Sequence, residues 1–291
     1  DTAIAGTSVP AALVAVRAST GEVLAVANHV PTGPAIDYAL DATEAPGSTF
    51  KVITSTALIG KGLTPASPAT CPPTVTVDGE NFHNDEGQAP GNLSFLTAFA
   101  QSCNTAFIGM TVAHLSGTDL VQAAAGYDIG TAPQMGLPAY GGKVPQPGDQ
   151  AAVAATAIGQ AQVTVAPLDL AMVAAAVDTG VVRMPRLAAG APDDTAPTHP
   201  VDPTVDSDLH TMMAQVVASG TAAGAGLPAG TFGKTGTAEF GSANPPQTHC
   251  WFIGFKGDIA FAVYVDSGAS GGSVAAPLAA RFLGALGSAA Q

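Results

Sequence analysis

The chain has 291 residues, 47% of them apolar and 5% aromatic, enough to bury a large core built mainly from Ala, Val, Leu and Ile. Its net charge is −13 with only nine scattered Lys and Arg, which excludes a phosphate-neutralising nucleic-acid surface and a polybasic membrane patch. No run of about 20 apolar residues could cross a bilayer; the longest candidate, Leu168 to Val177, is interrupted by Asp169. Gly (34) and Pro (23) make up about a fifth of the chain, below the level at which disorder is the default.

In chain order, Ala11 to Val16 and Glu22 to Ala27 read as two strands around the turn Ser19-Thr20-Gly21. Pro46-Gly47 breaks the chain, and Ser48 is placed to cap a helix running to Ile59. A Pro-rich passage follows, then a strand-like Thr74 to Val77 and the turn Asp78-Gly79. From Leu93 to about Leu187 the pattern is helical, with segments at Leu93 to Ala100, Thr105 to Met110, Leu120 to Ala125, Gln150 to Ile158 and Pro167 to Asp178. A loop is expected over Ala191 to Pro203 and a helix over Ser207 to Ser219. The period then changes, giving strands at Thr231 to Phe240, Thr248 to Lys256 and Ile259 to Asp266 and a closing amphipathic helix from Val274 to Leu286.

Strands at both ends and helices between them predict an α/β (α+β) fold with one antiparallel sheet, covered by terminal helices and flanked by a helical part. The sheet part is expected over about residues 1–47 and 225–291 and the helical part over about 48–224. Ser48 then falls at their junction, where clefts form.

No metal site is expected. Cys71, Cys103 and Cys250 are too widely spaced, and His29, His83, His114, His199, His210 and His249 show no ligand spacing. An odd number of cysteines leaves at least one free thiol, with one disulfide left open.

Three short patterns carry chemistry. Lys51 stands one helical turn after Ser48, within reach of its hydroxyl, and a lysine in a first turn is electrostatically misplaced, an environment that lowers its pKa. Ser102-Cys103-Asn104 sits at a break between two helical segments, and Lys234-Thr235-Gly236-Thr237 opens a strand. By itself each has a plain structural reading, as a cap or as a polar edge strand. By composition, Ser-x-x-Lys and Ser-x-Asn are each expected about 0.3 times and Lys-Thr-Gly about 0.06 times, hence all three about 0.005 times.

In that order the patterns resemble the penicillin-interacting serine acyltransferases. Ala45 to Lys51, Gln101 to Phe107, Ile158-Gly-Gln160 with Ala166-Pro-Leu168, Gly233 to Glu239 and Trp251 to Phe255 extend the likeness to the transpeptidase domain of class B penicillin-binding proteins, over essentially the whole chain. Ala161 departs from it, standing where that family usually has Gly.

The resemblance implies a five-stranded antiparallel sheet beside an all-helical subdomain. It implies a peptidoglycan D,D-transpeptidase without a cofactor, acting on D-Ala–D-Ala stem peptides and acylated by β-lactams. Ser48 is then the nucleophile and Lys51 its base, kept neutral by the helix N-terminus and Lys234. Ser102 relays a proton, Asn104 holds the acylated substrate, and Lys234, Thr235 and Thr237 bind the substrate carboxylate. Gly236 lets an extended peptide approach, and the backbone N–H groups of Ser48 and Thr237 form the oxyanion hole. Glu239 is expected to make a structural contact, Trp251 to be core, and Cys103 to be buried and inert.

The expected setting is outside the cytoplasm, with partner proteins of cell-wall synthesis and a membrane anchor preceding this chain. A class A β-lactamase is disfavoured because no glutamate fits its deacylating Glu-x-x-Leu-Asn loop, and a class D enzyme because Ser-x-Val would replace Ser102 to Asn104. A D,D-carboxypeptidase and a non-catalytic β-lactam sensor share the motifs and stay open.

Overall fold

The computed structural model describes residues 2–85, 88–187 and 197–289. The chain opens with the hairpin β1 (Ala11–Arg17) and β2 (Glu22–His29), then a short α1 (Tyr38–Asp41). A 3-10 turn, Gly47–Phe50, runs directly into α2 (Lys51–Gly60). An excursion of four short strands follows: β3 (Pro68–Cys71), β4 (Thr74–Val77), β5 (Glu80–His83) and β6 (Gly91–Ser94), paired β3 with β6 and β4 with β5.

The helical stretch comprises α3 (Phe95–Ala100), α4 (Asn104–His114), α5 (Gly117–Ala125), α6 (Gln150–Ala157) and α7 (Pro167–Thr179). A small pair, β7 (Val181–Val182) with β8 (His199–Pro200), precedes α8 (Pro203–Ala218). The long strands β9 (Phe232–Phe240), β10 (Gln247–Lys256) and β11 (Ile259–Val265) then lead through a π-helical turn, Gly271–Ala275, into α9 (Ala276–Ala289).

The main sheet has the order β2-β1-β11-β10-β9 and is antiparallel throughout, so the two ends of the chain build it together. β10 and β11 are buried residue after residue, which requires cover on both of their faces. α7 and α9 both pack there, and α7 also reaches β1. Every residue from Pro167 to Val177 in α7 is buried. The expectation of terminal helices as the cover is therefore half corrected: α9 is terminal, but α7 comes from mid-chain. From Pro167 to Val177 its sequence is apolar but for Asp169, the pattern of a helix enclosed all round.

Other boundaries also differ. Leu93 and Ser94 belong to β6, and α3 begins at Phe95 with Ser94 as its cap. α8 starts at Pro203 rather than Ser207, because the Asp202 side chain takes the N–H groups of Thr204 and Val205. The loop expected over 191–203 falls partly outside the described residues; within it, His199–Pro200 form β8 and Pro203 opens α8. The excursion strands β3, β5 and β6 had no separate signal, being only four residues each.

Ala161, the departure from the family pattern, has φ +62, in the left-handed region that glycine occupies without strain. Replacing it by Gly relieves that strain at a modest cost in chain entropy. Ala161→Gly is expected to stabilise the fold by about 0.5–1 kcal/mol, raising the melting temperature by about 1–3 °C, as calorimetry of the pair of proteins would measure.

Candidate active site

The three patterns meet around one amine. Lys51 Nζ lies 2.9 Å from Ser48 Oγ, 2.7 Å from the Ser102 carbonyl oxygen, 2.6 Å from Asn104 Oδ1 and 3.3 Å from Ser102 Oγ. Lys234 Nζ donates to Ser102 Oγ at 2.9 Å and to the Thr235 carbonyl at 3.0 Å. Ser102 thus bridges the two lysines, both of which are fully buried.

Local structure explains each placement. Ser102 has φ +59, and this left-handed break between α3 and α4 puts both its carbonyl and its hydroxyl within reach of Lys51. Ser48 does not cap its helix, contrary to the sequence expectation. It lies inside the 3-10 turn, whose start has no side-chain cap; the residue is buried and its hydroxyl is hydrogen-bonded to Lys51. Gly47 supports that turn with φ +52 and donates its N–H to Gly159. A Cβ on Gly159 would strike the Gly47 carbonyl, and a Cβ on Gly47 would strike the backbone of Thr237 in β9, so both glycines admit close backbone approach.

The neighbours of Lys51 can satisfy the amine in its neutral form. The Ser102 carbonyl and Asn104 Oδ1 are acceptors only, so they take two N–H bonds of the amine. A neutral amine has two such bonds and one lone pair, and that lone pair is left for the Ser48 O–H. Burial pushes the Lys51 pKa down to about 7, with the Asp85 carboxylate acting in the opposite direction. This corrects the expected cause, which was positive neighbours rather than the loss of water. Burial also holds Lys234 well below the ordinary lysine value, reinforced by Lys51.

Two hollows flank this centre. One, of about 210 Å³, is lined by Ser102, Thr221, Thr235, Thr237, Ser270 and Asp85 among others; the second, of about 230 Å³, by Asn104, His83, Gln160, Glu239 and again Thr237 and Asp85. β9 is an edge strand of the sheet. The Thr237 carbonyl faces Gly47, so its N–H points to the same free edge, on the Ser48 side. Gly236 is required for a reason other than the one expected. A Cβ there would come within 2.7 Å of the Pro46 carbonyl and of Thr49, so the glycine admits the chain's own Ser48 segment.

Trp251 is fully buried core, as expected, and its Nε1–H donates to the Ala45 carbonyl at 3.0 Å. Glu239 comes 4.0 Å from His83 across the second hollow. Cys103 is buried, as expected. It is bonded to Cys71, which ties the excursion to the Ser102 break, while Cys250 stays free and buried. Asp85 and Thr221 had no sequence signal, since each reaches the cleft only through the fold.

A family model for the penicillin binding protein transpeptidase domain matches residues 11–284. The chain belongs to this family. Like the transpeptidase domain of other members, it aligns with named relatives: it is 34% identical over 283 residues to the peptidoglycan D,D-transpeptidase PbpA of Mycolicibacterium smegmatis, covering 85% of this chain and 56% of that protein. The chain thus spans little more than half the length of that relative. The crystal structure of PBPA from Mycobacterium tuberculosis superposes on it with a TM-score of 0.79 at 30% identity, over 92% of this chain and 72% of that one. The penicillin G acyl-enzyme complex of the same M. tuberculosis protein gives 0.81 at 29% identity with the same coverage.

The depressed lysine has a consequence for stability. Between pH 7 and the ordinary value of 10.5 the unfolded chain holds a proton at Lys51 that the folded transpeptidase domain has released. Stability conferred at this site therefore rises with pH across that window. Relative to Lys51→Met, the native chain is expected to gain about 1 kcal/mol per pH unit between pH 7 and 9 in urea unfolding.

Proposed function

We propose that this chain is the catalytic domain of a serine D,D-transpeptidase that cross-links peptidoglycan. The observation that carries this reading is the Lys51 amine, whose two N–H bonds are taken by acceptor-only oxygens while Ser48 Oγ stands 2.9 Å away. An amine so placed removes the Ser48 proton as the hydroxyl attacks the carbonyl of a D-Ala–D-Ala bond. The developing oxyanion takes the backbone N–H groups of Ser48 and Thr237. Ser102, hydrogen-bonded to both lysines, passes a proton to the departing D-Ala amine. The substrate's terminal carboxylate occupies the hydroxyl-lined hollow of Thr235 and Thr237, with Lys234 supplying polarity from below and the Gly236 backbone flanking the extended peptide. Asn104, held between Lys51 and the His83 carbonyl, orients the acyl chain.

The acyl group on Ser48 then passes to an amine of a second stem peptide. A β-lactam, which presents a strained amide and a carboxylate at matching positions, acylates Ser48 and remains there. The cleft lies between a sheet half of about residues 1–47 and 225–291 and a helical half of about 48–224. Work outside the cytoplasm fits the Cys71–Cys103 bond, because disulfides persist in oxidising compartments. Among the described residues no helix is long and apolar enough to cross a membrane.

Incubation with benzylpenicillin is expected to add one covalent adduct to the native chain by intact mass and none to Ser48→Ala. An equal adduct on that variant, or none on the native chain, would sink the assignment. The acylation rate should climb as pH rises through about 7, where Lys51 becomes neutral, and level off above it. Lys51→Met is expected to slow acylation by about 10²–10⁴-fold at pH 8 and to remove the pH dependence, in stopped-flow measurements.

A further inference from the structure

Thr221 lies between α8 and β9, outside every pattern that the sequence singled out. Its backbone N–H donates to the carbonyl of Ala100, the last residue of α3, at 3.0 Å. Its hydroxyl lies 2.6 Å from that of Thr235. One residue therefore joins the Ser102 break to the Lys234 strand, on the wall of the 210 Å³ hollow.

A hydroxyl has one hydrogen to give. If Thr235 spends its hydrogen on Thr221, only lone pairs face the hollow and a carboxylate is repelled. If Thr221 donates instead, the Thr235 oxygen is satisfied from behind and its hydrogen is free to point inward. Thr237 is arranged in the same way: the Gly271 N–H donates to its Oγ1 at 3.3 Å, which leaves the Thr237 hydrogen for the hollow. With Thr221 as the donor, both hydroxyl oxygens would accept a hydrogen bond from within the protein, and each would be polarised to donate into the hollow.

We propose that Thr221 is a positioning residue for carboxylate recognition, setting the Thr235 hydroxyl as a donor to the substrate's or β-lactam's carboxylate. The proposal rests on the transpeptidase reading above and adds a residue and a ligand group to it. A donor chain of Thr221 to Thr235 to carboxylate makes acylation depend on the ligand's negative charge.

The test compares benzylpenicillin with its methyl ester, which lacks that charge, on the native chain, Thr221→Val and Thr221→Ser. Thr221→Val is expected to lose about tenfold in the second-order acylation rate with benzylpenicillin while the ester reacts at the native rate. Thr221→Ser should restore benzylpenicillin to within about twofold of native. If the acid-to-ester ratio of Thr221→Val stays native, because neither rate moves or because both fall together, the proposal is overturned. Should Thr221→Val not fold, Thr221→Ala carries the same comparison. A native chain that neither compound acylates would overturn the transpeptidase reading as well, and so differs from failure of the Thr221 proposal alone.

Discussion

Two lysine side chains with no exposed surface are the constraint that the rest of this molecule answers. An isolated ammonium group taken out of water costs several kcal/mol, so a buried lysine must be neutral, ringed by oxygens, or both. Lys51 is both. Its oxygens come from Ser48, Ser102 and Asn104, residues that share no secondary-structure element. The left-handed residue at 102 belongs to this solution, because an uninterrupted helix would commit that carbonyl to its own i+4 amide. Such strain is tolerated where the surroundings over-determine it, here by Lys51 on one side and Lys234 on the other.

The sheet fixes the other partner. The Ser48 segment is clamped from several directions: Trp251 holds the Ala45 carbonyl, His249 Nε2 lies 3.0 Å from Glu44 Oε2, and Gly47 is bonded to Gly159. Gly236 lets β9 come against Pro46 and Thr49 without an intervening side chain. Each contact is separately modest, but together they leave the hydroxyl of Ser48 little freedom to leave the amine. Pre-organisation of this kind reduces the ordering that a reaction otherwise demands at the moment of bond formation.

Much of this was legible in the residues. Both terminal strand groups, the main helices and the antiparallel sheet followed from hydrophobic period and turn residues, because long periodic segments carry the strongest signal. The residues of the three motifs converge as their resemblance implied. What escaped depends on contacts across the fold. Ser48 looked like a cap, since a Ser after Pro-Gly usually is one, yet Pro46 holds the cap position of the 3-10 turn and Ser48 lies two residues further in. The lowered lysine pKa was anticipated, but burial as its cause can be known only from three-dimensional packing. Cys71 and Thr221 reach the site from stretches without periodicity, and nothing in their neighbours in sequence announces a partner.

The order of strands bears on how the domain comes into being. β1 lies between β2 and β11, and its inner neighbour is separated from it by some 250 residues of chain. The β1–β2 hairpin therefore emerges well before β11 during synthesis and must wait, with the apolar run Ala11 to Val16 uncovered, until that strand arrives. Loop-closure entropy of that span is met only when β9, β10 and β11 are present as a unit. A domain wired in this way closes late, so a chain cut short between α8 and β11 retains both motifs of the helical half but lacks the strand that joins β1 to β10.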